Sequence, residues 1–314
     1  MTTGGLVVAE VARADWDNGL AVRLRAGVWR DFRNRGPMAM AAPSGFSLFR
    51  SLQGRAGWAA LPLHLPAHGR GRALAPELRR LLLRSPASWD LPELPEIGGP
   101  LEPGGAVAEA QQAIAAMYGA ERCWFGVNGA SGLLQAALLA MLPPGAAVLL
   151  PRNLHRSLLH ACVLGQLVPL LFDLPHDPLT GLWLPPTPEH LEGVLAAAAP
   201  FHPEAVVLVD PTYQGFGADL AALIERIHAV RLAGQGGCGL PVLVDQAHGD
   251  GSALAAGADL VVLSLQKAWG GLAQSAALLS QGQRVDAEAL ARSLLWLQTS
   301  SPSSLLLASS AAAL

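Results

Sequence analysis

The chain has 314 residues with 21 basic and 24 acidic side chains, a formal net charge of −3, which leaves no electrostatic footprint for nucleic acid or an anionic membrane. Hydrophobic residues make up 51% and charged residues 14%, against about 25% charged in ordinary soluble domains. This composition excludes a disordered chain and points to surface that is covered in an oligomer.

Residues 1–56 stand apart. They are rich in arginine (Arg13, Arg23, Arg25, Arg30, Arg33, Arg35, Arg50, Arg55) and lack sustained helix or strand periodicity. They are set aside as an N-terminal segment to which the sequence assigns no definite order, and residues 57–314 are expected to form the main domain. Glu10, Arg13, Asp15 and Asp17 occupy the place where a secretion signal would need an apolar run. Cys123, Cys162 and Cys238 are odd in number and widely spaced, so neither a disulfide framework nor a metal-ligand pattern is expected, and the plain setting is a reducing cytoplasm.

From Leu61 to about Pro103 prolines punctuate a loop-like stretch, interrupted by one helix that starts near Pro76. Further on, the pattern predicts a helix over Val107–Tyr118, a strand at Cys123–Val127 and, after a Gly129–Ser131 turn, a helix to about Leu142. Arg122 and Arg152 bracket 29 uncharged residues. The helix inside that run is roughly 18 Å long at about 1.5 Å per residue, too short to span a bilayer. Strands are predicted at Ala147–Leu150, Val168–Phe172, Ala205–Val209, Val242–Val244 and Leu260–Leu263. Helices are predicted at Ser157–Leu164, Pro188–Ala199, Leu220–Leu232 and Ala287–Gln298. Short apolar strands alternating with helices predict an α/β fold, a three-layer α/β/α sandwich around a mostly parallel sheet. Ligands bind such sheets beyond the carboxyl ends of the strands.

The residues at those ends are polar. Asn128-Gly129-Ala130-Ser131 follows the first strand, and Arg152-Asn153-Leu154-His155 follows the second. Asp210-Pro211-Thr212-Tyr213, Asp245-Gln246-Ala247-His248 and Ser264-Leu265-Gln266-Lys267 follow later ones. Taken singly, each has an ordinary reading. Ser131 suits a helix N-cap, Asp245 a local turn cap, and Lys267 and His155 solvated loop positions. Together they supply a phosphate cradle at a helix N-terminus, a ring to stack on a flat cofactor, a carboxylate to keep a pyridine nitrogen protonated and an amine for imine chemistry. Those are the parts that pyridoxal 5'-phosphate requires.

Seven segments in order, HLPAHGRG (64–71), EAQQAIAAMYGAERCWFGVNGASG (109–132), PRNLHRSLLHA (151–161), DPTYQG (210–215), VDQAHG (244–249), SLQKAWGGLAQSAALL (264–279) and LQTSSPSSLLLAS (297–309), resemble the major domain of the Orn/Lys/Arg decarboxylases. These are pyridoxal-phosphate enzymes of fold type I, the aspartate aminotransferase fold. The resemblance implies that Lys267 carries the internal aldimine, that Asp245 pairs with the pyridine nitrogen and that His155 stacks over the ring. It further implies that Ala130, Ser131 and Ser264 hold the phosphate, that His248 lies near the imine, and that Thr299–Ser301 reach an active site at a dimer interface. The implied reaction is decarboxylation of arginine, lysine or ornithine to an amine of polyamine metabolism, by a cytoplasmic homodimer or higher oligomer.

Some positions depart from the family pattern. Gln246 stands where the family usually has Glu, Gln266 where it has His, and Ser304 where it tends to have Tyr. The segment after His248 is shortened. The family usually continues into a small C-terminal domain, whereas this sequence ends at Leu314. The departures raise the alternative of a truncated, catalytically weak cofactor-binding homologue, and because the cofactor parts are shared across the fold, an aminotransferase or lyase is a further alternative.

Overall fold

The computed structural model describes residues 6–8, 52, 62, 64–230 and 239–314. Most of residues 1–56, together with Cys238 and the end of the helix expected to reach Leu232, lie outside the described residues. The elements below belong to one compact unit.

In chain order they are β1 (Leu6–Val8), α1 (Pro76–Leu83), α2 (Ala106–Tyr118), β2 (Arg122–Gly126), α3 (Gly129–Met141), β3 (Ala147–Pro151), α4 (Arg156–Gly165) and β4 (Val168–Phe172). There follow α5 (Pro188–Ala198), β5 (Pro203–Val209), α6 (Leu220–Ala229), β6 (Val242–Gln246), α7 (Ser252–Ala255), β7 (Leu260–Ser264), α8 (Leu265–Ala268), β8 (Ala276–Ser280), α9 (Ala287–Leu297) and α10 (Ser304–Ala313). Among the described residues, no helix is long and apolar enough to cross a membrane. The helix inside the uncharged run has 13 residues.

The strands form one sheet in the order β1-β4-β3-β5-β6-β7-β8-β2. Neighbours from β4 through β7 are parallel. β8 runs antiparallel to both β7 and β2, so β2 points the same way as the parallel set. Its carboxyl end therefore delivers Asn128–Ser131 to the edge that also receives the ends of β3, β5, β6 and β7.

Alternate residues of the central strands feed two cores. Leu149, Leu170, Val206, Leu208, Val244 and Val261 face one layer with α2, α5, α6 and α10. Val148, Leu150, Val207, Leu243 and Val262 face the other with α3, α4 and α9. Burial on both faces explains why the strands are apolar runs without alternation. The three-layer α/β/α expectation holds.

Five elements differ from the sequence pattern, among them the single-turn helices α7 and α8, which are too short to show a period. β1 is too short to show periodicity and is defined by antiparallel pairing with the edge of β4. β8 was absent from the predicted elements because AALLS combines alanines of low strand preference with leucines that suit either state. Pairing on both sides decides it. α10 lies in a Ser-rich segment whose helical face becomes legible only where Leu307 packs into the first core.

Replacing the fully buried Leu149 with alanine is expected to cost about 2–5 kcal/mol in denaturant unfolding. The same change at Met117, 65% exposed on α2, is expected to stay within about 0.5 kcal/mol.

Candidate active site

Asp245 is the last but one residue of β6, with parallel strands on both sides. Its side chain is 5% exposed. Its one hydrogen bond among the described residues runs from Ala247 N to Oδ1, 3.0 Å. One carboxylate oxygen thus caps the local turn and the other remains for another donor. Burial pushes the carboxyl above the usual carboxylate range, opposed by the Ala247 N–H and by the positive charge of Lys267.

Lys267 sits in the short helix α8, directly beyond β7. Burial lowers its ammonium below the ordinary lysine range, and the Asp245 charge works against that shift. Its Nζ lies 3.0 Å from His248 Nε2. His248, on the loop after β6, titrates below an ordinary histidine because of burial, then the charges of Lys267 and His155. The segment at 64–71 reaches the same place, with Ala67 N donating to Gln266 O at 2.7 Å. Next to it, Gly270 has φ +70°, and a Cβ there would stand 2.6 Å from Ala73 O. Only glycine lets the two loops approach this closely.

His155 caps α4. Ser157 N donates to its Nδ1 at 3.3 Å and Ser157 Oγ lies 2.8 Å from the same nitrogen. Nδ1 is therefore an acceptor and the ring proton sits on Nε2. Its pKa is lowered by burial first, and next by the charge of Lys267. The loop histidine and the cofactor-facing histidine are thus compatible roles of one side chain.

The helix α3 begins at Gly129, two residues earlier than expected, so Ser131 is in its first turn and Asn128 takes the N-cap position. Asn128 does not cap with its side chain. Its Nδ2 donates away, to Leu297 O at 2.9 Å. The first-turn N–H groups are left without a side-chain acceptor, as an anion would require. Buried Gln298 Nε2 has no hydrogen-bond partner among the described residues and lies 3.8 Å from where a Cβ on Gly132 would stand. Ser264 is buried at the end of β7, immediately before α8.

The structure thus gathers Asp245, Lys267, His248 and His155 into one electrostatic group, and brings the α3 N-terminus with Ala130 and Ser131, and Ser264, to the same edge of the sheet. Thr299 and Ser301 are exposed just beyond α9 and bond to each other, Ser301 N to Thr299 Oγ1. One strand-end residue was named in the sequence without a role, and one count was not made. Tyr213, after β5, lies edge-to-face against His248. Of the 21 basic residues, 20 are arginine, and Lys267 is the single lysine of the chain.

A family model for the Orn/Lys/Arg decarboxylase major domain matches residues 48–314. The chain belongs to this family. Among curated relatives, an arginine decarboxylase of Halalkalibacterium halodurans is 33% identical over 257 residues, covering 78% of this chain and 50% of the relative. That of Bacillus subtilis is 32% identical over 273 residues, covering 83% and 53%. The chain spans about half the length of these relatives. The constitutive lysine decarboxylase of Escherichia coli has a similar fold, with a TM-score of 0.60 at 22% identity over 85% of this chain and 39% of that one. L-threonine transaldolase from Pseudomonas fluorescens gives 0.58 at 20% identity, covering 85% and 60%. The chain therefore has the fold type I architecture.

The lone lysine makes its titration directly readable. Amine-directed labelling of Lys267, mapped by mass spectrometry across pH, is expected to show a midpoint below the ordinary value of 10.5. Asp245→Asn removes the charge that holds the ammonium on, so the midpoint is expected to fall further. A midpoint at 10.5 in both proteins would contradict the burial argument.

Proposed function

We propose that the protein containing this chain is a pyridoxal-phosphate-dependent decarboxylase of a basic amino acid, with arginine the first substrate to test. The observation that carries the reading is the single lysine. A guanidinium stays protonated and cannot serve as a nucleophilic amine, and in a chain that uses arginine at every other basic position, the one side-chain amine stands at the carboxyl edge of the sheet beside a buried carboxylate. Four relatives that match most of the chain carry the name arginine decarboxylase.

The residues present fit the cofactor. A buried carboxylate with one oxygen unbonded suits a protonated pyridine nitrogen, and an uncapped helix N-terminus suits a phosphate. In this reading Lys267 holds the cofactor through Nζ, Asp245 faces its ring nitrogen, His155 lies over its ring, and Ala130, Ser131 and Ser264 take its phosphate. Pyridoxal phosphate, when bound, supplies an electron sink for the pair left behind as the α-carboxylate departs as carbon dioxide. The chain's own contribution is electrostatic and positional. Burial lowers the pKa of Lys267 below that of an ordinary lysine, and His248 Nε2 is placed to hold or accept a proton at Nζ. Neutral His155 adds no positive charge over the ring at neutral pH.

The same reading includes a homodimer in the cytoplasm. Val163 and Leu164 on α4 and Leu295 and Trp296 on α9 expose apolar surface on the layer that covers α3, and Thr299–Ser301 lie at its edge. The two described cysteines, Cys123 and Cys162, are buried and free, with burial pushing their thiols up to about 12 and about 11.

The test is borohydride reduction of the protein after addition of pyridoxal phosphate, with peptide mapping, followed by carbon dioxide release from arginine, lysine and ornithine. Cofactor fixed on Lys267 and release from arginine are expected. Lys267→Arg is expected to abolish both while leaving the fold intact. Release that survives in Lys267→Arg would overturn the reading.

A further inference from the structure

His248 is exposed, and among the described residues its one polar contact is with Lys267. A ring held at one atom can rotate, and Nε2 would then leave Nζ. The second contact comes from the neighbouring strand. Tyr213 places its ring 5.1 Å from the His248 imidazole, centroid to centroid, with planes inclined by 62°. This is the edge-to-face geometry that aromatic pairs favour.

The turn that carries Tyr213 is tied at both ends. Asp210 Oδ1 accepts from Ala218 N at 2.7 Å. Thr212, 1% exposed, donates from N to Phe216 O at 2.9 Å and accepts at its own O from Gly215 N at 2.8 Å. Thr212 Oγ1 takes Phe216 N at 3.2 Å. On this tied turn Tyr213 nevertheless stays 55% exposed, so core packing does not account for its placement. The His248 loop is anchored to the same floor. Gln246 Nε2 reaches Asp210 Oδ2 at 3.5 Å, Gln246 Oε1 accepts from Ala253 N at 3.0 Å, and Gly249 N donates to Gln246 O at 2.8 Å. The floor that Asp210 and Gln246 share therefore fixes the spacing of the two rings.

We propose that Tyr213 is a positioning residue whose ring holds the His248 imidazole so that Nε2 stays against Lys267 Nζ. The inference rests on the reading of Lys267 and His248 as active-site partners. The hydroxyl makes no hydrogen bond among the described residues, so the ring does the holding. A contact of this kind biases one ring orientation roughly 2- to 12-fold.

The test uses the full, cofactor-free chain and three proteins: wild type, Tyr213→Phe and Tyr213→Leu. Imidazole nitrogen spectra are followed across pH, with the His248 signal assigned from His248→Gln. In wild type His248 titrates below its ordinary value because its ring is partly buried, and next because of the charges of Lys267 and His155. Tyr213→Leu is expected to move it up by about 0.5 unit and to change the labelling rate of Lys267 at least about 2-fold, as the lost ring bias requires. Tyr213→Phe is expected to keep both within about 0.2 unit and the error of the rate, and His155 serves as the internal control. An unchanged His248 and an unchanged labelling rate in Tyr213→Leu would overturn the proposal, as would a Tyr213→Phe response equal to that of leucine. Because these readouts need no cofactor, a failure to fix pyridoxal phosphate on Lys267 would sink the proposed function without touching this result.

Discussion

A carboxylate sealed at the end of a central parallel strand is the constraint around which the rest of the site is arranged. Asp245 lies between two strand neighbours, with almost no exposure and one backbone donor. Water cannot solvate its charge there, so the cost must be met by a positive group or lifted by protonation. Lys267 answers from the next strand. The same burial that raises the acid lowers the base, and the attraction between them opposes both shifts. The result is an amine easier to deprotonate than lysine in water and a carboxylate with one oxygen in reserve, a combination that two solvated side chains would not show.

Parallel strand direction supplies everything else. Asp245 and Lys267 are far apart along the chain, yet adjacent parallel strands end at the same edge, so the loops beyond β6 and β7 meet. The same direction brings His155 from beyond β3 and the uncapped start of α3 from beyond β2. The antiparallel β8 is what allows this last placement, since it turns β2 back into alignment with the parallel set.

Much of this was legible in the sequence. Buried parallel strands announce themselves as short apolar runs, and β3 through β7 were located from composition alone. The polar residues after them stood out as a group, because in a chain with so little charge a carboxylate or amine at a strand end is conspicuous. Less was visible where local preference is weak. AALLS fits helix or strand, and three residues at Leu6–Val8 carry no period. Ser131 looked like a helix cap, but α3 is already entered at Gly129, whose φ of +69° makes a left-handed entry turn that glycine accepts. The solitary lysine was in plain view and needed only a count.

The order of strands and helices, the apolar faces and the identity of the chemical groups follow from the sequence by itself, because each depends on side chains a few positions apart. Which groups meet does not. The distance from Lys267 to His248, the edge-to-face contact of Tyr213 and the shared floor of Asp210 and Gln246 all join loops from different strands. Tertiary pairing alone sets those distances, and with them the burial that shifts the titration of Asp245, Lys267 and both histidines.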